Sequence, residues 1–409
     1  MKCRFCDNNL EHVLVDLHNS PPSNSYLSKE ALNHPETYYP LKIFVCNKCW
    51  LVQVDEHKKA NEIFSAEYAY FSSFSSSWLK HSKEYCEMMI HKYHFNTSSF
   101  VVEIASNDGY LLQYFKEKNI PVLGVEPTLN TANEARKKGI ESINDFFGEK
   151  LAREEFENKN KKADLLIGNN VFAHVPAIND FVKGLKIALK PQGIITLEFP
   201  HLINLIKESQ FDTIYHEHFS YLSLTTVNLI FNRFGLKITD VEELPTHGGS
   251  LRIYATHTEN VSTGETNEVA RVLLTEKEAG VNTLNYYSGF KNKVEKIKVE
   301  LLDFLVKCKK EGKKVMGYGA AAKGNTLLNY CGIKSDLIEF CADASTFKQN
   351  LYMPGSHIKI ISPEEIKTLK PDFILIFPWN IQNEITHQLS FISEWGGKFV
   401  VSIPELKVL

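Results

Sequence analysis

The stretch that decides the fold is FVVEIASNDG, residues 100–109. Its first half is an apolar run of strand-forming residues, which predicts a buried β-strand. Its second half supplies an acid, small residues and Asp-Gly, so the backbone can pass close to a ligand while carboxylates and amides hold polar groups. The stretch therefore predicts the first strand-to-helix turn of a nucleotide-type pocket. The glycine pattern alone is a weak signal, since it lacks a full G-x-G-x-x-G. A dinucleotide-binding Rossmann domain is the alternative.

Strands and helices alternate downstream of this turn, which predicts a parallel sheet with helical crossovers. A terminal hairpin after parallel strands is typical of S-adenosylmethionine (SAM)-dependent methyltransferases rather than dehydrogenases. We therefore predict an α/β fold with a central class I, Rossmann-like methyltransferase domain. Its expected strands are residues 100–105, 122–126, 164–168 and 193–198, and its expected hairpin is formed by 236–241 and 250–255.

A charged helical region, residues 262–310, separates this domain from a second alternating region. The second region predicts another Rossmann-like α/β domain, with strands at 314–319, 338–343, 373–377 and 398–403. The predicted domains are a zinc-binding domain over 1–66, a SAM-binding domain over 67–258, a helical connector over 259–310 and a C-terminal domain over 311–409.

Two C-x-x-C pairs lie near the N-terminus, Cys3 with Cys6 and Cys46 with Cys49. Two such pairs complete a tetrahedral four-thiolate shell, so we predict a structural zinc ion with no open coordination position. The other four cysteines are scattered, and we expect small buried side chains there.

Composition limits the function classes. The 409 residues carry 46 Lys and Arg against 49 Asp and Glu. This balance argues against nucleic acid as a partner. The chain begins without an apolar signal region and has no run long enough to span a membrane, so we expect a cytoplasmic protein with no membrane partner.

The first predicted pocket binds SAM. We expect the turn after the first strand to face the amino acid part of the cofactor and Glu126 to accept hydrogen bonds from the ribose hydroxyls. We expect Asp145 and Phe146 to border adenine, and Asn169 and Asn170 to lie near the sulfonium. The predicted cofactor residues are Glu103, Ala105, Asn107, Asp108, Gly109, Glu126, Asp145, Phe146, Asn169 and Asn170.

A second pocket is predicted at GYGAAAKGNT, residues 317–326. Exposed backbone N–H groups at a helix start suit a pyrophosphate, and SAM carries no phosphate, so this turn indicates a phosphorylated substrate. The predicted substrate residues here are Gly317, Gly319, Lys323, Asn325, Asp343 and Lys348. A plain packing contact between small residues of helix and sheet is the alternative.

The segment YHEH, residues 215–218, brings a phenol, a carboxylate and two imidazoles together. Imidazole is the side chain best suited to take a proton near neutral pH. A proton acceptor beside a methyl donor indicates methylation of a carbon or oxygen whose hydrogen must first be removed. Surface polarity or a buried core histidine is the alternative, and a metal site is not favoured because H-E-x-x-H is absent.

Taken together, these motifs resemble the zinc-containing, SAM-dependent nucleotide-sugar 3-C-methyltransferases that make branched deoxysugars. The resemblance spans essentially the whole chain and departs at Ala105, where the family usually has glycine. It rests on the four N-terminal cysteines and on residues 70–73, 103–109, 169–174, 215–218, 247–252 and 317–325.

The resemblance implies a nucleotide sugar in the cleft between the central and C-terminal domains. We expect the nucleotide to be dTDP or GDP and the enzyme to be a monomer. The resemblance places the general base on His218, with Glu217, Tyr215 and His174 around the sugar and Tyr70 at the pocket wall. We expect Ser72 and Ser73 to contact substrate and His174 or Tyr215 to donate a hydrogen bond to the enolate oxygen.

Three other functions remain open. Relatives on this scaffold methylate other sugar carbons, such as C5. A nucleic-acid methyltransferase is disfavoured because residues 169–172 read Asn-Asn-Val-Phe rather than Pro-Pro-aromatic and no Pro-Cys dipeptide occurs. A non-catalytic nucleotide-sugar-binding protein would require a broken SAM pocket or a changed His218.

Overall fold

The computed structural model describes residues 1–64 and 71–409, which form three β-sheets with helices packed around them. The strands, in chain order, are β1 (His12–Ser20), β2 (Tyr39–Val45), β3 (Val52–Val54), β4 (Val101–Ile104), β5 (Val122–Val125), β6 (Ser142–Ile143), β7 (Ala163–Asn169), β8 (Leu189–Pro200), β9 (Ser220–Tyr221), β10 (Leu236–Leu244), β11 (Ser250–His257), β12 (Val315–Tyr318), β13 (Phe340–Ala342), β14 (Lys359–Ile361), β15 (Phe373–Ile376), β16 (Lys398–Val401) and β17 (Lys407–Val408).

The α-helices connect these strands and cover the sheets. They are α1 (Ala60–Ile63), α2 (Ser76–Tyr93), α3 (Leu112–Glu117), α4 (Leu129–Lys137), α5 (Glu149–Ala152), α6 (Ile178–Ala188), α7 (Leu202–Lys207), α8 (Leu224–Arg233), α9 (Asn267–Ala279), α10 (Phe290–Lys310), α11 (Ala322–Cys331), α12 (Ile366–Leu369) and α13 (Gln382–Gln388).

The central sheet has the order β10-β11-β8-β7-β4-β5-β6. Its neighbours pair in parallel from β8 through β6, whereas β11 runs antiparallel to both β8 and β10. Every residue of β4 is buried, as a strand covered by helices on both faces requires. The parallel sheet with a terminal hairpin confirms the predicted methyltransferase fold. The carboxyl ends of β4, β5 and β7 meet at one edge, where ligands bind in such sheets.

The C-terminal sheet has the order β14-β13-β12-β15-β16-β17 and is parallel except for β17. The chain leaves β12 toward one side of the sheet and returns at β15 on the other. This reversal opens a crevice beyond the carboxyl ends of β12 and β15. This sheet confirms the predicted second Rossmann-like domain. Residues 319–323 follow β12 and residues 377–380 follow β15, so both segments lie at the crevice.

The N-terminal sheet, in the order β1-β2-β3-β9, contains a strand that the sequence patterns did not reveal. β9 comes from the central part of the chain, directly after the YHEH segment, and pairs antiparallel with β3. The Val54 backbone N–H also donates to Phe219 O at 3.2 Å. The N-terminal part of the chain therefore holds the YHEH segment by main-chain hydrogen bonds.

One apolar core joins the N-terminal sheet to the C-terminal domain. The inward face of α10 presents Phe290, Val294, Ile297 and Leu301 at helical spacing, and all are buried. They share a core with β1, β2, residues 202–221 and α11. Among the described residues, no helix is long and apolar enough to cross a bilayer.

Candidate functional site

The turn after β4 holds three residues in left-handed backbone conformation, Ala105, Asn107 and Gly109. A Cβ at Gly109 would lie 2.5 Å from Ile140 Cδ1, so no side chain fits there. Ala105 has φ of 55°, a conformation that glycine adopts without the steric cost that a methyl group adds. The turn therefore keeps its tight shape in spite of the alanine.

Glu126 follows β5 and holds this turn through its carboxylate. Its Oε2 accepts from the Asn107 backbone N–H at 2.8 Å, and Oε1 accepts from the Thr128 backbone N–H at 2.9 Å. Burial raises the pKa of Glu126, while these hydrogen bonds oppose the rise. Glu103, fully buried on β4, has a pKa raised well above its usual range by burial. Both acids lie at the predicted cofactor edge, and their contact with SAM stays a prediction.

Several buried polar atoms at this edge have no hydrogen-bond partner among the residues described. A buried polar group without a partner is costly, so such a cluster indicates where a polar ligand binds. The donors and acceptors suit the amino, carboxylate and ribose groups of SAM, and the site therefore fits this cofactor. The atoms are Ser106 Oγ, Asp108 Oδ1, Asn169 Oδ1 and Nδ2, and Asn170 Oδ1.

The predicted adenine border lies at the rim of the same edge. Asp145 Oδ1 accepts from the Phe146 backbone N–H at 2.7 Å. The Phe146 ring is 40% exposed and meets the Phe64 ring edge to face at 6.5 Å. This leaves an aromatic surface beside the pocket that a purine ring can cover.

Residues 71–74 cover the cofactor turn. The Ser72 backbone N–H donates to Asn107 Oδ1 at 2.9 Å, and Lys138 Nζ donates to Ser73 Oγ at 2.8 Å while lying 3.4 Å from Asp108. The structure thus places both serines on the cofactor side, and their predicted contact with the sugar stays a prediction. Tyr70, predicted at the pocket wall, lies outside the described residues.

His218 is held in a single tautomer. Its Nδ1 lies 2.8 Å from the Thr213 carbonyl oxygen, which can only accept, so Nδ1 carries the proton. Its Nε2 therefore presents a lone pair, which accepts from the Tyr215 hydroxyl at 2.8 Å. Burial, aided by the nearby His174, lowers the pKa of His218 well below its usual range. The ring is a neutral base at neutral pH.

His174 lies against His218, with ring centroids 4.6 Å apart. Its Nδ1 donates to the Glu217 carbonyl oxygen at 2.9 Å, and burial lowers its pKa to about 4. Neutral His174 therefore has only a lone pair on Nε2. This geometry argues against our expectation that His174 donates a hydrogen bond to the enolate oxygen.

The other imidazole of the YHEH segment, His216, serves as an anchor. Its Nε2 donates to Pro40 O at 3.2 Å, and its ring meets Tyr39 edge to face. Burial lowers the pKa of His216 to about 4. This residue fastens the segment to β2.

His247 is a site residue that we did not predict. Asn170 Nδ2 donates to His247 Nε2 at 2.9 Å, and the ring also packs against Trp78. Burial lowers the pKa of His247 to about 4. The histidine lies in the turn between β10 and β11 with a left-handed φ of 53°, and its place in the 247–252 motif was the available sequence signal. It orients the Asn170 amide at the predicted sulfonium position.

The glycines of the C-terminal turn pack against aromatic and proline rings. A Cβ at Gly317 would lie 2.6 Å from Phe377, one at Gly324 would lie 2.8 Å from the same ring, and one at Gly319 would lie 2.5 Å from Pro378. The packing alternative thus accounts for these small residues. A phosphate contact through their backbone stays a prediction.

Lys323 extends from this turn toward the histidines. Its Nζ donates to Asn380 Oδ1 at 2.8 Å and lies 4.4 Å from the Trp379 ring centre. Burial lowers the pKa of Lys323 to about 8, and its charge helps to lower the pKa values of His218 and His247. Lys323 is therefore a cation close to the predicted base.

The remaining predicted substrate residues have protein partners. Lys348 Nζ lies 3.5 Å from Asp343 Oδ2 and donates to Ala320 O at 3.0 Å. Asn325 is fully buried and donates to Ser23 O at 2.6 Å. The first pair borders the crevice, whereas the Asn325 amide contacts the N-terminal part of the chain.

The four N-terminal cysteines come together. Their Sγ atoms all lie within 4.8 Å of one another, with Cys3 and Cys49 at 3.5 Å and Cys6 and Cys46 at 3.5 Å. Tetrahedral zinc with bonds of about 2.3 Å requires a similar sulfur spacing. Gln53 Nε2 donates to Cys3 Sγ at 3.2 Å, a contact that supports a thiolate ligand. The cluster fits one zinc ion.

Comparison with known proteins matches three successive parts of the chain to family models. Residues 3–64 match "Putative zinc binding domain", residues 78–241 match "Methyltransferase domain", and residues 245–404 match "C-methyltransferase C-terminal domain". The C-methyltransferase NovU of Streptomyces niveus is 33% identical over the whole of this chain and 96% of its own length.

Solved structures align with less than half of the chain. Magnesium protoporphyrin IX methyltransferase of Synechocystis is 14% identical over 44% of this chain and 82% of its own, with a TM-score of 0.35. The CcbJ methyltransferase of Streptomyces caelestis is 10% identical over 43% and 89%, with a TM-score of 0.34. At these TM-scores the likeness plays no part in the assignment.

The central sheet, its cofactor edge and the four-cysteine cluster define a zinc-binding, SAM-dependent methyltransferase. The full-length relative and the three matched domains narrow this class to the C-methyltransferases. The chain belongs to the family of zinc-containing, SAM-dependent C-methyltransferases.

Proposed function

We propose that this C-methyltransferase acts on C3 of a dTDP- or GDP-linked 4-keto-6-deoxyhexose, with His218 as the base. The observation that carries the proposal is the fixed tautomer of His218. A neutral, half-buried imidazole presents its Nε2 lone pair beside Tyr215. Carbon methylation needs such a base, because a carbon nucleophile forms only after a C–H proton has been removed.

The acceptor carbon becomes acidic through the neighbouring ketone. Removal of the C3 proton places the electron pair into an enolate, with its charge on the C4 oxygen. The proton goes to His218 Nε2, and the hydroxyl of Tyr215 turns from this nitrogen to the substrate. Bound SAM supplies an electrophilic methyl group, to which the C3 electron pair is directed.

The enolate charge requires a donor, and Lys323 supplies one in this proposal. The charge of Lys323 contributes to the lowered pKa of His218, and in this proposal the same charge stabilises an oxyanion formed beside that ring. Asn170, held by His247, orients the cofactor side. Preorganised donors of this kind contribute about 3 kcal/mol to transition-state stabilisation.

The nucleotide belongs in the C-terminal crevice under this proposal. The Asp343–Lys348 pair at the β13 end suits ribose and phosphate groups, and Lys323 connects the crevice to the base. The near-neutral chain does not favour nucleic acid as the acceptor.

The test is incubation with SAM and a panel of dTDP- and GDP-linked 4-keto-6-deoxysugars. We expect a mass gain of one methylene on one sugar, with NMR showing that C3 has lost its hydrogen. In deuterated water without SAM, the C3 hydrogen should exchange. Methylation at C5 would support the alternative acceptor carbon. Absence of both exchange and methylation with every ketosugar of the panel would refute the proposal.

A further inference from the structure

The zinc-binding part of the chain sends a loop, residues 21–28, against the C-terminal domain and the YHEH segment. Asn325 Nδ2 donates to Ser23 O at 2.6 Å, and the Tyr26 hydroxyl donates to Ala320 O at 2.5 Å. Leu27 and Tyr352 exchange backbone hydrogen bonds of 2.9 and 2.8 Å. The loop is thus fixed on both sides of residue 24.

Asn24 lies between these fixed points and reaches the YHEH segment. Its Nδ2 donates to Glu217 Oε1 at 2.7 Å. Glu217 is only 4% exposed, and its carbonyl oxygen accepts from His174. The Asn24 amide therefore contacts the residue that directly precedes His218 in the chain and that accepts a hydrogen bond from His174.

A hydrogen bond from a neutral amide has two effects on a buried carboxylate. It favours the ionised form, because burial alone penalises the charge. It also restricts the direction of the carboxylate, because the amide holds one of its oxygens at a fixed place. A fixed, ionised carboxylate beside the base can accept a hydrogen bond from a sugar hydroxyl in one orientation.

We propose that Asn24 is a positioning residue of the active site, orienting the Glu217 carboxylate toward a hydroxyl of the sugar substrate. The inference rests on the proposed function for the identity of that substrate. Through Asn24, the zinc-binding part of the chain would contribute to substrate recognition, because the loop that contains Asn24 directly follows β1.

A purely structural role for the loop is separable from this one. The structural contacts use Ser23 O, the Leu27 backbone and the Tyr26 hydroxyl, and none of them involves the Asn24 side chain. Substitution of Asn24 therefore leaves the attachment of the loop intact. Ser25, adjacent and exposed, provides a matched control.

The first experiment compares Asn24→Ala, Asn24→Asp and the control Ser25→Ala. Loss of a hydrogen bond to a charged group of about 1.5–3 kcal/mol corresponds to a roughly 10- to 100-fold lower kcat/KM for the ketosugar. Zinc content, melting temperature and SAM affinity should match the wild type. Asn24→Asp should move the acid limb of the pH profile upward, since a second carboxylate raises the pKa of Glu217.

The second experiment needs no substrate. The side-chain carboxyl of Glu217 is titrated by NMR on protein labelled at glutamate carboxyl carbons, with its signal assigned through Glu217→Gln. Both Asn24 variants should raise the pKa of Glu217, and Ser25→Ala should not. If wild-type protein neither exchanges nor methylates any ketosugar, the proposed function is refuted. The titration of Glu217 still decides the role of Asn24 in that case.

Two outcomes would overturn the inference. An unchanged pKa of Glu217 in both variants would show that the amide does not act on the carboxylate. A kcat/KM within twofold of wild type, or a loss that follows a loss of zinc or of folding, would show that the loop serves structure alone.

Discussion

At the scale of single residues, the site depends on which nitrogen of an imidazole carries the proton. Backbone carbonyl oxygens accept from Nδ1 of both His218 and His174. Each ring thereby turns a lone pair toward the pocket. Under the proposed function, Tyr215 and Lys323, rather than His174, would donate to negative charge on the substrate.

Replacement of the base is the most direct residue-scale test. We expect His218→Asn to lower kcat by about 100-fold or more, because general-base catalysis contributes at least that factor. SAM affinity, measured by calorimetry, should stay at the wild-type value. The exposed His91 gives a control, His91→Asn, which should retain full activity. Comparable turnover in both variants would remove His218 from the mechanism.

The buried imidazoles also predict a pH dependence of stability. His216 has a folded-state pKa of about 4, against about 6.5 for an exposed imidazole in the unfolded chain. Above the unfolded value neither state binds the proton. As the pH falls from about 6.5 toward 4, only the unfolded chain takes it up, so the free energy of unfolding falls.

Denaturant titrations from pH 7.5 down to 5 should show this loss. The variant His216→Gln, which cannot titrate, should show a shallower slope between the same pH values. An equal slope in the variant and the wild type would contradict the assignment.

At the scale of elements, the two strand-to-helix turns look alike in sequence and differ in use. In the first, Gly109 adopts a left-handed φ of 74°, and polar atoms without a partner in the described part of the chain lie at the edge. In the second, Gly317 and Gly324 make room for Phe377. Small residues alone do not separate ligand approach from packing, because both need backbone without side chains.

Helix α8 depends on a carboxylate from another helix. Glu276 of α9 is fully buried and accepts from the backbone N–H groups of Leu224 and Thr225 at 2.6 and 2.7 Å, and from His201 Nε2 at 2.7 Å. Glu276→Ala leaves these donors buried without a partner, which should cost about 3–5 kcal/mol of unfolding free energy.

Chemical denaturation measures this loss, with Glu278→Ala as the control. Glu278 lies on the exposed side of α9, and its removal should change stability by less than about 0.5 kcal/mol. Similar effects of the two substitutions would show that Glu276 does not stabilise the first backbone N–H groups of α8.

At the scale of the whole molecule, one sheet connects the zinc cluster to the YHEH segment. β9, directly after His218, pairs with β3, and β3 follows the second cysteine pair. Loss of the metal should therefore disorder the site although no cysteine belongs to it. Structural zinc contributes directly to the free energy of folding.

We expect Cys46→Ser to lose zinc and most methyl transfer together. The control Cys308→Ser replaces a buried thiol outside the cluster and should keep its zinc. Metal analysis and activity assays on the same samples provide the measurement. Full activity in zinc-free protein would show that the β3–β9 pairing holds without the metal.

The sequence by itself determined the two Rossmann-like sheets, the four zinc ligands and the positions of the cofactor turn and the YHEH segment. These features are local, since strand patterns, C-x-x-C spacing and tight turns depend on residues close together along the chain.

Only the tertiary structure decided that β9 joins the N-terminal sheet, that Asn24 reaches Glu217 and that His247 holds Asn170. Each of these contacts links residues far apart in the chain. Asn170 and His247 are 77 positions apart, and Asn24 and Glu217 are 193 positions apart. No local pattern records such a contact, because it follows from how the sheets pack around a shared core.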